Sequence, residues 1–144
     1  MTEGRLFRIK RVIQWGDLDP LKITFYPRYY EWMDQAGHNF FHSVGLNMWE
    51  LWEKRGILFG LMETGAKYHR PGRYLLEVEI ETYLAQLGRK VLLLRHNIVD
   101  PEGRLMVEGF ERRICLDVKD PASFRAMDIP KDLWDRLSDY LLEG

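Results

Sequence analysis

The order of the apolar patterns constrains this chain most. One long helical stripe comes first, and a block of strand-length segments follows it. From Pro27 to about Val44, the residues Tyr29, Trp32, Met33, Ala36, Phe40 and Val44 recur at the three-and-four spacing of one helix face. Pro27 suits the first helical turn, where its missing N–H would go unpaired in any case, and Gly45 is a natural stop. After Gly56, the segments Ile57 to His69, Leu75 to Leu87, Lys90 to Val99 and Leu105 to Val118 read as strands. In the second of them Leu76, Val78, Ile80, Thr82 and Leu84 alternate with Glu77, Glu79 and Glu81, which predicts one dry face and one wet face. Pro71-Gly72 and Asp100-Pro-Glu-Gly103 supply turns.

Upstream of the helix, Leu6 to Trp15 reads as a first strand, and Gly16 to Lys22 is rich in turn formers. Asn47 to Lys54 predicts a short second helix. Pro130 to Leu142 predicts an amphipathic C-terminal helix through Leu133, Trp134, Leu137, Tyr140 and Leu141. The expected architecture is α+β: a single domain over residues 1–144, with a five-stranded antiparallel sheet wrapped around one long helix and a helix at the C-terminus. One helix cannot cover both faces of five strands. The uncovered face and the sheet edge therefore predict a partner chain.

Composition narrows the function classes. With 46% apolar and 30% charged residues in 144, a packed core is expected and disorder is not. A net charge of -1 supplies no basic field for nucleic acid. No apolar run reaches the roughly 18 residues of a membrane span, so no membrane partner is expected. The stretch Met1 to Phe7 lacks the apolar core of a signal peptide, and the single cysteine, Cys115, forms no intramolecular disulfide. Both point to the cytoplasm. Aromatic content of 13%, with five Trp, predicts a dense core, a large interface or an aromatic-lined pocket.

The segment from Trp15 to Asp34, Trp-Gly-Asp-Leu-Asp-Pro-Leu-Lys-Ile-Thr-Phe-Tyr-Pro-Arg-Tyr-Tyr-Glu-Trp-Met-Asp, resembles the signature of the 4-hydroxybenzoyl-CoA thioesterase family. That signature is an aromatic residue, Asp-x-Asp-Pro/Ala, a hydrophobic pair, then Tyr-Pro/His-x-Tyr before a central helix. Gly45-Leu46, Arg55-Gly-Ile57, Arg95-His96 and the Ala126 to Pro130 approach to the last helix are similar too. The resemblance implies the hotdog fold, a homodimer or homotetramer, and active sites at the dimer interface. It implies acyl-CoA as substrate, with Asp19 as nucleophile or general base and the backbone N–H of Tyr26 as oxyanion donor. Asp34 lies near where family members place a polar group of the acyl pocket. It is also the second choice for the catalytic carboxylate, with Glu31 behind it. At Lys22 the family usually has Gly. Either the loop backbone differs there, or the glycine serves pocket space.

The chemistry agrees with these positions. A thioester is already activated, so a carboxylate with an ordinary pKa of about 4 is ionised and ready to attack or to take a proton. Charge then develops on the carbonyl oxygen, and the unpaired N–H groups at a helix start can receive it. Pro27 has no N–H, so Tyr26 or a residue just after Pro27 must donate. Tyr29, one turn on, either packs between helix and sheet or joins the substrate pocket. Arg89 and Lys90, after Gly88, are candidate partners for the CoA phosphates, as are Arg112 and Arg113. Asp17 reads as structural, Cys115 as an inert buried thiol, and Trp49 with Trp52 as packing. Asp34, His38 and His42 share one helix face, but nothing supplies a further metal ligand, so no metal is expected. No cofactor is expected beyond the coenzyme A of the substrate itself. A hotdog dehydratase would need a loop histidine that this loop lacks. A non-catalytic acyl-CoA binder is the remaining alternative.

Overall fold

Helix α1 (Pro27–Ser43) forms where the periodicity predicts it, in a computed structural model that describes residues 5–142. Met1 to Gly4, which open the N-terminal stretch read above, and the last two residues of the expected 1–144 domain lie outside the described residues. Pro27 takes the first helical position, and α1 buries Tyr29, Trp32, Met33, Ala36, Gly37, Phe40 and Phe41. It stops as Gly45 turns to φ +92 and its N–H donates to the His42 carbonyl at 3.0 Å.

The strands are β1 (Phe7–Val12), β2 (Ile57–Tyr68), β3 (Glu77–Leu87), β4 (Val91–Val99), β5 (Leu105–Asp117) and β6 (Arg125–Ala126). They form one antiparallel sheet in the order β1-β3-β4-β5-β2, and the two-residue β6 pairs with the end of β5. The sheet carries α1 on its inner face, the expected hotdog arrangement. Two expected boundaries move. β1 ends at Val12, because Trp15–Asp17 turns into a short 3-10 segment. The short second helix splits into α2 (Met48–Glu50), capped by the Asn47 side chain, and a π-helical turn over Leu51–Arg55.

The C-terminal helix α3 (Lys131–Ser138) is shorter than the amphipathic pattern, which ran to Leu142. Leu141 bridges to Leu84, and the Leu142 N–H donates to the Leu84 carbonyl at 2.8 Å. Leu84 lies beyond the Phe7–Thr82 pair that ends the β1 ladder. The tail therefore pairs with a stretch of the β3 edge that β1 leaves open.

The core has two apolar parts. One joins Phe40, Phe41 and Leu46 to Phe59, Leu94, Leu133 and Leu137. The other joins Tyr29, Trp32 and Met33 to Ile13, Ile80, Ile98 and Val107. Between them runs a polar seam. The Thr82 hydroxyl and His96 Nδ1 are 2.7 Å apart, His96 Nε2 is 3.4 Å from Glu111 Oε1, and Arg113 Nε donates to Glu111 at 3.2 Å. Burial alone would push the Glu111 carboxyl up, but the facing His96 and Arg113 outweigh it and hold the carboxyl below its ordinary value.

Candidate active site

The loop before α1 is built around two carboxylates that do different things. Asp17 is 6% exposed. Its Oδ2 accepts the Gln14 N–H at 2.8 Å, and Arg11 Nη2 and Arg28 Nε each lie 3.6 Å from its Oδ1. Its carbonyl accepts the Phe25 N–H at 2.8 Å. Asp17 thus ties β1, the loop and the helix start together.

Asp19 sits in the tight turn that follows. A Leu18–Thr24 bridge closes the loop, and the Asp19 N–H donates to the Ile23 carbonyl at 2.9 Å. Asp19 Oδ1 accepts the Leu21 N–H at 2.8 Å, and the Lys22 N–H donates to the Asp19 carbonyl at 2.8 Å. Lys22 occupies the left-handed region at φ 63. The conformation that glycine takes cheaply is present, and a lysine holds it.

Asp19 opens onto a cavity of about 400 Å³. Ile23, Thr24, Tyr26 and Tyr29 line it from the loop and helix start, and Tyr68, His69, Arg70 and Pro71 line it from the end of β2. The two sides are joined at Gly72. Its carbonyl accepts the Thr24 N–H at 2.9 Å, and its N–H donates to the Tyr29 hydroxyl at 3.1 Å. A Cβ there would lie 2.5 Å from the Thr24 hydroxyl and 2.8 Å from the Tyr29 hydroxyl, so only glycine permits this approach. Burial pushes the Tyr29 phenol up, and burial with the neighbouring Tyr30 raises Tyr68 further. Both walls therefore present neutral hydroxyls at neutral pH.

The helix start leaves one donor. Pro27 has no N–H, the Phe25 N–H is bound to Asp17, the Arg28 N–H to the Phe25 carbonyl at 2.9 Å, and the Tyr29 N–H to the Tyr26 carbonyl at 3.1 Å. Among the described residues the Tyr26 N–H has no such partner. The Tyr26 side chain is 59% exposed and lines the same cavity as Asp19.

Asp19, Tyr26 and Tyr29 therefore come together, whereas other candidates do not. Asp34 does not line this cavity. Its Oδ1 accepts from Arg113 Nη2 at 2.8 Å and its Oδ2 lies 3.4 Å from His38 Nδ1. Arg89 and Lys90 sit at the β3–β4 turn, both paired with Asp128 at 3.3 and 3.0 Å. That turn lies at the far end of β5. The Lys90 carbonyl accepts from Cys115, whereas Tyr68 pairs with Val107 eight residues away, up to roughly 26 Å along an extended strand. Arg113 is corrected outright as a phosphate partner, since its side chain is 4% exposed and engaged by Asp34, Glu111 and the Phe59 carbonyl. Arg112 pairs with Glu63 at 3.2 Å. The wall residues Tyr68, His69 and Arg70 escape the sequence reading. They end one strand and precede a Pro-Gly turn, and the long-range hydrogen bonds of Gly72 to Thr24 and Tyr29 bring them to the loop.

A curled sheet around one helix, with a loop carboxylate at the helix start beside an aromatic cavity, defines a thioesterase-type hotdog domain. The chain belongs to the thioesterase-like superfamily, which it matches over residues 13–137. It is 29% identical over 135 residues to the 4-hydroxybenzoyl-CoA thioesterase of Pseudomonas sp. strain CBS-3, covering 90% of this chain and 95% of that protein. The structure of that enzyme superposes with a TM-score of 0.83 over 92% of this chain and 99% of its own. A gentisyl-coenzyme A thioesterase, 29% identical, superposes at 0.77 with coverage of 92% and 99%. A hypothetical protein from Thermus thermophilus, also 29% identical, superposes at 0.82 with coverage of 96% and 99%.

Proposed function

We propose that this chain is an acyl-CoA thioesterase, hydrolysing a CoA thioester to a free carboxylic acid and coenzyme A. The observation that carries the reading is the meeting, in one aromatic-walled cavity, of Asp19 and Tyr26, whose N–H has no backbone partner among the described residues. The Asp19 carboxylate either attacks the thioester carbonyl or takes a proton from the water that does. The negative charge on the carbonyl oxygen is received by the Tyr26 N–H at the positive end of α1. Collapse expels the CoA thiolate. On the nucleophilic route, water then hydrolyses the mixed anhydride and restores Asp19. No cofactor is needed beyond the coenzyme A of the substrate. The tyrosine wall, and relatives named for 4-hydroxybenzoyl-CoA and gentisyl-CoA, favour an aromatic acyl group.

The same reading supplies a partner. The edges of the sheet are β1 and β2. Ion pairs of Arg8 with Glu79 and Glu81, and of Lys10 with Glu77, cover β1 with charge. β2 has twelve residues, pairs among the described residues with β5 alone, and leaves Leu61, Met62 and Tyr68 about half exposed. A second copy pairing along β2 would reach the cavity wall at Tyr68. It would also bring its own Asp34, Arg89 and Lys90 into play, as a homodimer or a homotetramer built from it. Light scattering showing a stable monomer at micromolar concentration would remove this shared-site arrangement. Among the described residues no helix is long and apolar enough to cross a membrane. We place the enzyme in the cytoplasm, in keeping with the lone thiol of Cys115, buried and pushed up to about 11.

The test is free-thiol release from benzoyl-, hydroxybenzoyl-, phenylacetyl- and short and long fatty acyl-CoA, for the native chain and Asp19→Asn. One class should turn over well, and the substitution should cost on the order of 100-fold or more with the fold intact. Binding without turnover identifies a non-catalytic acyl-CoA binder. Turnover that ignores Asp19→Asn moves the assignment to Asp34.

A further inference from the structure

Resting on the thioesterase reading, we infer that Lys22 is a positioning residue for Asp19. Its ammonium, seated on the Trp15 ring, clasps the Asp19 turn to the loop that carries the opposite cavity wall. Three observations converge on it. The first is backbone: Lys22 holds φ 63, a conformation costly for any L side chain, yet its N–H is one of the two that tie down Asp19. A glycine would hold that turn without strain, so the turn's backbone does not by itself call for a lysine.

The second is the side chain. Lys22 Nζ lies 4.8 Å from the centroid of the Trp15 ring, within cation–π range, although both residues are exposed. The third is what Trp15 touches. Its ring meets Tyr74 edge-on at 5.4 Å and 80°. Tyr74 follows the His69–Pro71 wall and Gly72, which already hold Thr24 and Tyr29 from beneath. The stack of Lys22, Trp15 and Tyr74 therefore closes the outer side of the joint whose inner side is Gly72. Leu75, next in the chain, also stands in the left-handed region at φ 65. Each of the two joined loops thus holds one strained non-glycine residue, as expected of turns locked by contacts between them rather than by their own preferences.

An exposed cation–π contact is worth about a 2- to 5-fold effect on an equilibrium or a rate. Turnover of the best acyl-CoA and thermal unfolding are measured on native protein, Lys22→Met, Lys22→Gly and Lys22→Arg. Lys22→Met is expected to lower kcat about 2- to 5-fold, with KM changing less, and Lys22→Arg to restore native kcat. Lys22→Gly is expected to melt no lower than native, because strain is released, and still to lose kcat. A residue that served stability alone would not separate the two. Native kcat in Lys22→Met, or kcat losses that only follow the melting temperatures, would overturn the assignment. Should the native chain cleave no thioester, the activity reading fails on its own. The clasp is then read from hydrogen exchange of the Leu21 and Lys22 amides. Exchange faster in Lys22→Met than in native and Lys22→Arg supports it, and equal exchange refutes it.

Discussion

Glu111→Gln tests whether the polar seam through the core holds the fold together. In the native chain Glu111 faces His96 at 3.4 Å and Arg113 at 3.2 Å, with both acidic and basic side chains almost wholly buried. Removing one partner of a buried pair typically costs about 3–5 kcal/mol, because the other charge is left uncompensated. Here Arg113 keeps Asp34 at 2.8 Å and the Phe59 carbonyl at 3.0 Å, and glutamine keeps the shape, so the low end applies, about 3 kcal/mol. For a chain of this size that corresponds to a fall of roughly 6–12 °C in Tm. The assay is thermal and urea unfolding at fixed protein concentration, since association would shift the midpoint. Glu111→Leu with Arg113→Met leaves no unpaired buried carboxylate or guanidinium. It should be less destabilised than the sum of its single changes by more than about 1 kcal/mol. A Glu111→Gln protein within about 0.5 kcal/mol of native, or strict additivity in the cycle, would refute the claim that these charges are held by one another.

Two further outcomes follow from the same region. The Glu111 carboxyl is held below its ordinary value in the folded chain, so its contribution is present above the unfolded carboxylate pKa of about 4.3 and is lost as pH falls through the lower, folded value. The stability gap between native and Glu111→Gln should therefore narrow below about pH 4, as read by urea unfolding at stepped pH. Gly37→Ala would normally gain about 1 kcal/mol in a helix. Here the new Cβ would stand 2.5 Å from Glu111 Oε1 and 3.3 Å from Leu94, so the change should cost about 1–3 kcal/mol instead, and a rise in Tm would contradict the packing at the seam.

The long elements were legible because their periods are unambiguous. α1 repeats at three and four with a proline at its start, and β3 alternates over eleven residues. The Asp19 turn and helix start were legible because loop and helix are adjacent in sequence. What lay beyond reach was long-range. β6 has two residues and no period to detect, and the length of α3 was settled by a carbonyl on β3. Glu111 and Arg113 alternate in step with Gly109 and Cys115 on the buried face of β5. A charged residue at such a position looks like one on a wet face until its partners arrive from β4 and α1. Arg113 was misread as a phosphate partner for that reason.

The Asp-Leu-Asp loop separates two uses of the same functional group. Asp17 collects the nearby guanidinium groups of Arg11 and Arg28, while the Asp19 carboxylate, two residues on, accepts the Leu21 amide hydrogen. A carboxylate wrapped by cations shares its electron density with them and makes a poor attacking group. Asp17 holds Arg11 and Arg28 on the inner side of the loop, and Asp19 faces the cavity. The two aspartates are therefore not interchangeable under mutation. Loss of the inner one would leave Arg11 without its carboxylate and the Gln14 N–H without its acceptor, so it would loosen the loop that carries the outer one.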